Sequence, residues 1–128
     1  MTRTVEISQD RWTAFLKMLN RLADGRPVRL EVARRELGDQ EMGNLLPLVD
    51  VDFETKGSDR GALIIAVGSD RGELAHVIEK PRRMAIGLND VNEPQWLAID
   101  EQGEGTTIVH FEHLPALEQG YADSAAAP

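Results

Sequence analysis

The residues of this chain with chemistry to offer are three histidines, an alternating row of carboxylates and a short cationic run. His76, His110 and His113 are the only imidazoles. A zinc site needs three or four such ligands converging on one ion. In a strand starting at Leu74, His76 shares a face with Leu74 and Ile78. His110 points away from Val109 and Phe111, on the face of Glu112, and His113 falls on the other face. Alternation along strands opposes bringing all three to one ion. His76 is therefore expected to be a hydrogen-bonded histidine of the sheet, with no metal and no cofactor.

Asp50, Asp52 and Glu54 alternate with Val49, Val51 and Phe53, and Asp59 follows. Hard cations such as calcium take carboxylate oxygens. An extended strand, however, spaces same-face carboxylates about 6.6 Å apart, which suits a solvated face and discourages edge pairing. General acid–base catalysis would need two carboxyls held in a pocket that separates their pKa values. With 22 acidic residues, carboxylate pairs are unavoidable and carry no such information. Ser58 and Ser69 lack the Gly-x-Ser-x-Gly setting of a nucleophile elbow. The chain is not expected to be an enzyme.

One local departure from acidity remains, Lys80-Pro81-Arg82-Arg83. Cations gathered around a proline can hold an anionic ligand or an acidic partner segment. Lys80, Arg82 and Arg83 are the candidate contact residues, with Arg34 and Arg35 second. The competing reading is a solvated turn.

The elements that must carry these residues are set by a repeat. Gly-Ser-Asp-Arg-Gly occurs at 57–61 and again at 68–72, bracketing the apolar run 62–67. Ser, Asp and Gly are turn residues, so the two copies and the run read as strand-turn-strand-turn-strand. Lacking the Gly-Lys-Ser/Thr ending of a phosphate loop, and sitting about 20 Å apart at the two ends of one strand, the copies are turns.

Before the repeat, Ser8 reads as an N-cap, with Ile7 and Trp12 as a hydrophobic staple. Apolar residues at Trp12, Phe15, Leu16, Leu19, Leu22 and Ala23 fall on one helical face, closed by Gly25 and Pro27. Then the period becomes two: Val28, Leu30 and Val32 form a strand, residues 34–47 a long polar connection, and Val49, Val51 and Phe53 a second strand. Pro81 should interrupt pairing. Strands follow at 84–88, 96–99 and 107–111. Short connections cannot make parallel crossovers. The expected fold is α+β: an N-terminal helix packed on a curved antiparallel sheet, a meander of about six to seven strands. Residues 1–114 form the single domain and 115–128 a flexible tail.

Length and composition agree with one soluble domain: 128 residues, 41% apolar and 28% charged. The formal charge of −8 opposes nucleic acid and anionic lipid, so neither partner is expected. Cysteine is lacking, which excludes thiolate and disulfide chemistry from these residues. No run approaches the ~20 apolar residues of a membrane span, and the first residues lack a signal-peptide core. A cytoplasmic protein is expected. The run 62–67 is apolar on both faces, so one face needs a second cover, from curvature of the sheet, the 34–47 connection or a second subunit, and a homodimer is expected.

Together, Asp10-x-Trp12-x-x-Phe15, the strand Leu63-Ile64-Ile65-Ala66-Val67-Gly68, His76-x-Ile78-x-x-Pro81 and the closing Leu97-x-Ile99 with Gly105-Thr106-Thr107-x-x-x-Phe111 carry a resemblance. Over residues 8–112 the chain resembles a bacterial family of short proteins known only as a domain of unknown function. The resemblance implies a bacterial, single-domain, soluble protein, and brings no activity, cofactor or catalytic residue with it. A non-catalytic accessory or protein-interaction role is the first expectation. The second is a small anionic-ligand binding module with a pocket between helix and bent sheet.

Overall fold

Turns too short for crossovers decide the architecture. The computed structural model describes residues 1–34, 38–58, 60–69, 72–103 and 105–117. In chain order the elements are β1 (Arg3–Ile7), a 3-10 turn (Gln9–Arg11), α1 (Trp12–Ala23), β2 (Pro27–Arg34), β3 (Gly38–Phe53), β4 (Leu63–Ser69), β5 (Gly72–Ile78), β6 (Pro81–Leu88), β7 (Pro94–Glu101) and β8 (Gly105–Phe111). Every pairing is antiparallel, in the order β1-β6-β7-β8-β2-β3-β4-β5.

The α+β, antiparallel expectation holds, but the described residues form a sheet of eight strands instead of six to seven. It is two meanders, β2 to β5 and β6 to β8, joined by β8 pairing with β2 and extended by β1 on β6. β1 escapes a periodicity reading because only Val5 and Ile7 of its five residues face inward. The expected connection at 34–47 is largely strand, with β3 running from Gly38. Its register with β2 shifts twice, between Val28 and Leu30 and between Leu30 and Glu31, so the side chains lose the alternation that reveals a strand. Pro81 does not interrupt pairing either. It opens β6 opposite Glu101, and the irregularity between Pro81 and Arg83 absorbs its missing donor.

The sheet is curled, and its two ends are not hydrogen-bonded to each other. β5 ends the order and β6 lies near the other end, yet only Glu79 and Lys80 separate them in the chain. A flat layer could not accommodate that link. The inward faces therefore oppose each other across a shared core containing Leu30, Leu63, Ile65, Ile86, Leu97 and Val109. α1 lies against β3 and buries Trp12, Phe15, Leu16, Met18, Leu19 and Ala23 there. Each large side chain so buried contributes about 1.5–3 kcal/mol. The Trp12 indole donates to the Ile7 carbonyl at 2.9 Å and meets Phe53 edge-on at 5.2 Å between centroids.

The helix start differs from its expected capping. A 3-10 turn precedes the α-helix, and Ser8 accepts the Arg11 amide with its backbone carbonyl at 2.9 Å instead of capping with its hydroxyl. The Ser8 hydroxyl is buried without a hydrogen-bond partner. Gly25, at φ 72°, takes the left-handed conformation that ends the helix. The repeat behaves as turns where it is described: Gly57 and Gly61 have positive φ, and Ser69 pairs with Gly72 across the β4–β5 hairpin. Chain packing continues past residue 114. Leu117 is buried, and its amide donates to the Asn92 carbonyl at 2.8 Å. The expected tail from 118 on lies outside the described residues. Among those described, no helix is long and apolar enough to cross a membrane.

Candidate functional site

Strand pairing places residues far apart in sequence side by side, and one such row stands out on the outer face. Register sets Thr4 beside Gly87, Gly87 beside Trp96, Trp96 beside His110 and His110 beside Arg29, across β1, β6, β7, β8 and β2. The Trp96 indole lies on Gly87: a Cβ there would sit 2.2 Å from indole Cε2 and 2.5 Å from Nε1. Only glycine leaves room for the ring.

Beyond the indole, His110 Nε2 is 2.8 Å from Glu31 Oε1. Arg29 Nη1 lies 3.5 Å from Glu31 and 3.8 Å from Glu41. Glu31 and Glu41 are directly opposed across β2 and β3, and the Arg29 guanidinium, within 4 Å of both, offsets that repulsion. Above this row opens a half-open cleft of about 490 Å³, which also involves Thr2, Gln95 and Glu112. A second cleft of about 340 Å³, reaching Asn89, Glu93 and His113, shares Gln95, Phe111 and Glu112 with the first.

The cationic run spans the link after β5 and the start of β6. Lys80 occupies the two-residue link after β5 and accepts the Gln102 amide with its carbonyl at 2.9 Å. Arg83 reaches across to β1 and pairs with Glu6 at 3.0 Å, both side chains well exposed. Arg82 falls at the irregularity between Pro81 and Arg83 and is exposed. Arg34 lies near His76, while Arg35 is outside the described residues. The space between α1 and the sheet, expected as the second reading's pocket, is occupied by the Trp12, Phe15 and Leu19 side chains.

His76 sits inside the curl, buried opposite Ile65, with Nε2 3.1 Å from Thr107 Oγ1. It is thus the hydrogen-bonded sheet histidine expected from alternation. Burial, aided by the Arg34 charge, pushes its pKa below the ordinary 6.5. The fold holds the ring neutral, whereas the unfolded chain takes a proton near pH 6.5. Below that pH the unfolded state binds the extra proton, so stability should fall as pH drops from about 6.5 through the folded value, and be unaffected by this group above it. Melting temperatures of the native chain and His76→Gln, compared at pH 7.5 and 5.5, test this. The native chain should lose more on acidification, and equal losses would remove His76 as the cause.

The acidic row is also resolved. Asp50 lies opposite Ala66 and Asp52 opposite Ile64 on the outer face. Partial burial and the neighbouring Asp52 charge push the Asp50 pKa up, against the lowering effect of the Val51 backbone hydrogen bond. Among the described residues no three His, Asp or Glu groups gather as metal ligands.

Trp96, Gly87, Arg29 and Glu31 were not singled out by sequence reasoning. The available signal was a glycine within an apolar alternating strand, which marks a close approach to the backbone. Its partner is fixed only by register.

The profile of a family of unknown function, DUF5335, matches residues 3–119, a span containing the helix and every strand. No curated protein and no solved structure matches the chain.

Proposed function

Because the chain belongs to this family of unknown function, we propose its role from its own surface: a non-catalytic interaction domain that self-associates through β5. The observation that carries the reading is the free side of β5. Among the described residues β5 pairs with β4 alone, ending the strand order. The Val51 amide and carbonyl both bond the Asn20 side chain, on the side away from β4. By antiparallel alternation, Ile65 then bonds His76, and Ala75 and Val77 direct their backbone groups to the open edge.

That edge has apolar exposure on both faces, with Val77 45% exposed beside half-buried Ile64 and Ala66 on the outer face and Leu74 38% exposed on the other. β5 contains neither the proline nor the lysine that blunts natural edges. A twofold pairing centred on Ala75 places Glu73 opposite Val77 of the partner subunit and keeps the glutamates apart. Such a contact is isologous and closes at two copies.

Light scattering coupled to gel filtration tests the reading. The native chain should run at about twice its 14.2 kDa mass. Ala75→Pro removes an edge donor without touching the β4 ladder and should give the single-chain mass with the fold intact by circular dichroism. A native chain that elutes at 14.2 kDa at about 100 µM would discard self-association through β5.

A further inference from the structure

We propose that the cleft above Trp96 binds a neutral saccharide of two or three rings. The inference uses a face and residues separate from the β5 edge and does not depend on self-association.

The reasoning starts from the indole. A partly exposed aromatic ring retains apolar surface that a ligand can cover, and here the indole lies on Gly87. Around it stand groups of mixed character: Arg29 donates, Glu112 accepts, and Gln95, His110 and Thr2 offer polar atoms of their own. Charge decides among ligands. Arg29 is already engaged by Glu31 and Glu41, while Glu112 and Glu93 line the clefts, so an incoming anion meets carboxylates first. An organic cation would have to compete with Arg29 for Glu31 and Glu41, and the Glu93 carboxylate is already taken by the Asn89 amide. The remaining ligand is uncharged, rich in both donors and acceptors, and apolar on one flat side. A pyranose has this form, with axial C–H groups for the indole and vicinal hydroxyls for planar side chains.

Size sets the number of rings. The cleft of about 490 Å³ and its neighbour of about 340 Å³ adjoin at Gln95, Phe111 and Glu112. Each is of the size of a small-ligand site, so two adjoining sites accommodate linked sugars better than a single one.

The test uses the full chain with methyl glucoside, galactoside, mannoside and N-acetylglucosaminide, and the corresponding trisaccharides. Saturation-transfer NMR reads the ligand. Tryptophan fluorescence reads the protein, and since Trp12 is buried, a ligand-dependent change reports Trp96. At least one sugar series should bind, its trisaccharide at least about fivefold tighter than its monosaccharide, with transfer strongest to the protons of one ring face. Trp96→Ala should weaken that binding about tenfold or more. Gly87→Ala, whose methyl displaces the indole, should do the same with circular dichroism unchanged, and Glu112→Gln should weaken it about threefold. Silence across the panel would overturn the proposal. So would sugar binding indifferent to both Trp96→Ala and Gly87→Ala, or a fluorescence response to benzyltrimethylammonium or benzoate in place of the sugars.

Discussion

Trp12→Ala should lower the unfolding free energy by about 3–5 kcal/mol, a large share of the about 5–15 kcal/mol typical of a single domain. Three losses combine at this position. The indole is almost fully buried between the helix and the curled sheet, so its removal leaves a cavity. The edge-to-face contact with Phe53 disappears, worth about 0.5–1.5 kcal/mol beyond area. The Ile7 carbonyl loses the indole donor at the end of β1, where the chain turns into the helix. Trp12→Phe separates these contributions: it keeps most of the apolar area but not the N–H, and should cost about 1–3 kcal/mol. Urea denaturation monitored by circular dichroism measures both. A loss below about 1 kcal/mol for the alanine variant would mean that Trp12 does not tie the helix to the sheet as described.

Asn20→Ala is the second large effect, expected at about 2–4 kcal/mol although the residue is polar and only partly buried. β3 changes partners along its length, bonding β2 up to Pro47 and β4 from Leu48 onward. Where β2 has not yet begun, the free side of β3 still needs donors and acceptors. Leu48 exchanges bonds with Gly25 and Arg26, its amide donating to the Arg26 carbonyl at 2.9 Å and its carbonyl accepting from Gly25 at 3.0 Å. At Val51 the Asn20 carboxamide acts as a strand of one residue, accepting from the amide and donating to the carbonyl, both at 2.9 Å. Alanine orphans both groups. Asn20→Asp keeps the acceptor but turns a carboxylate toward the Val51 carbonyl, so it should fall near the alanine value. Faster hydrogen exchange at the Val51 amide should accompany the loss in both variants. An unchanged exchange rate there would show that the carboxamide is not what protects it.

These two residues also mark where a sequence can and cannot be read. Trp12 belongs to a helical stripe beside Phe15, Leu16 and Leu19, and a stripe of that period states its own burial. Asn20 lies among the same residues as a lone polar side chain, and nothing local tells it from a solvated one. His76 was legible for the first reason: its parity with Ile78 placed it inward, and only its partner Thr107 needed the fold.

What the chain dictates by itself is everything with a short period. The helix at 12–23, the turns of the twin Gly-Ser-Asp-Arg-Gly segments, the antiparallel β3-β4-β5 meander and the inward parity of most strands follow from residue types within a few positions of one another. Tertiary structure alone decided the strand count, the pairing of β1 with β6 and β8 with β2, and the curl that the Glu79-Lys80 link enforces. It also decided that Trp96 would rest on Gly87 beside His110 and Arg29. The physical reason is the range of the forces. Alternation is fixed by backbone geometry between adjacent residues, whereas cross-strand neighbours are fixed by register, which is chosen by burying the whole core at once.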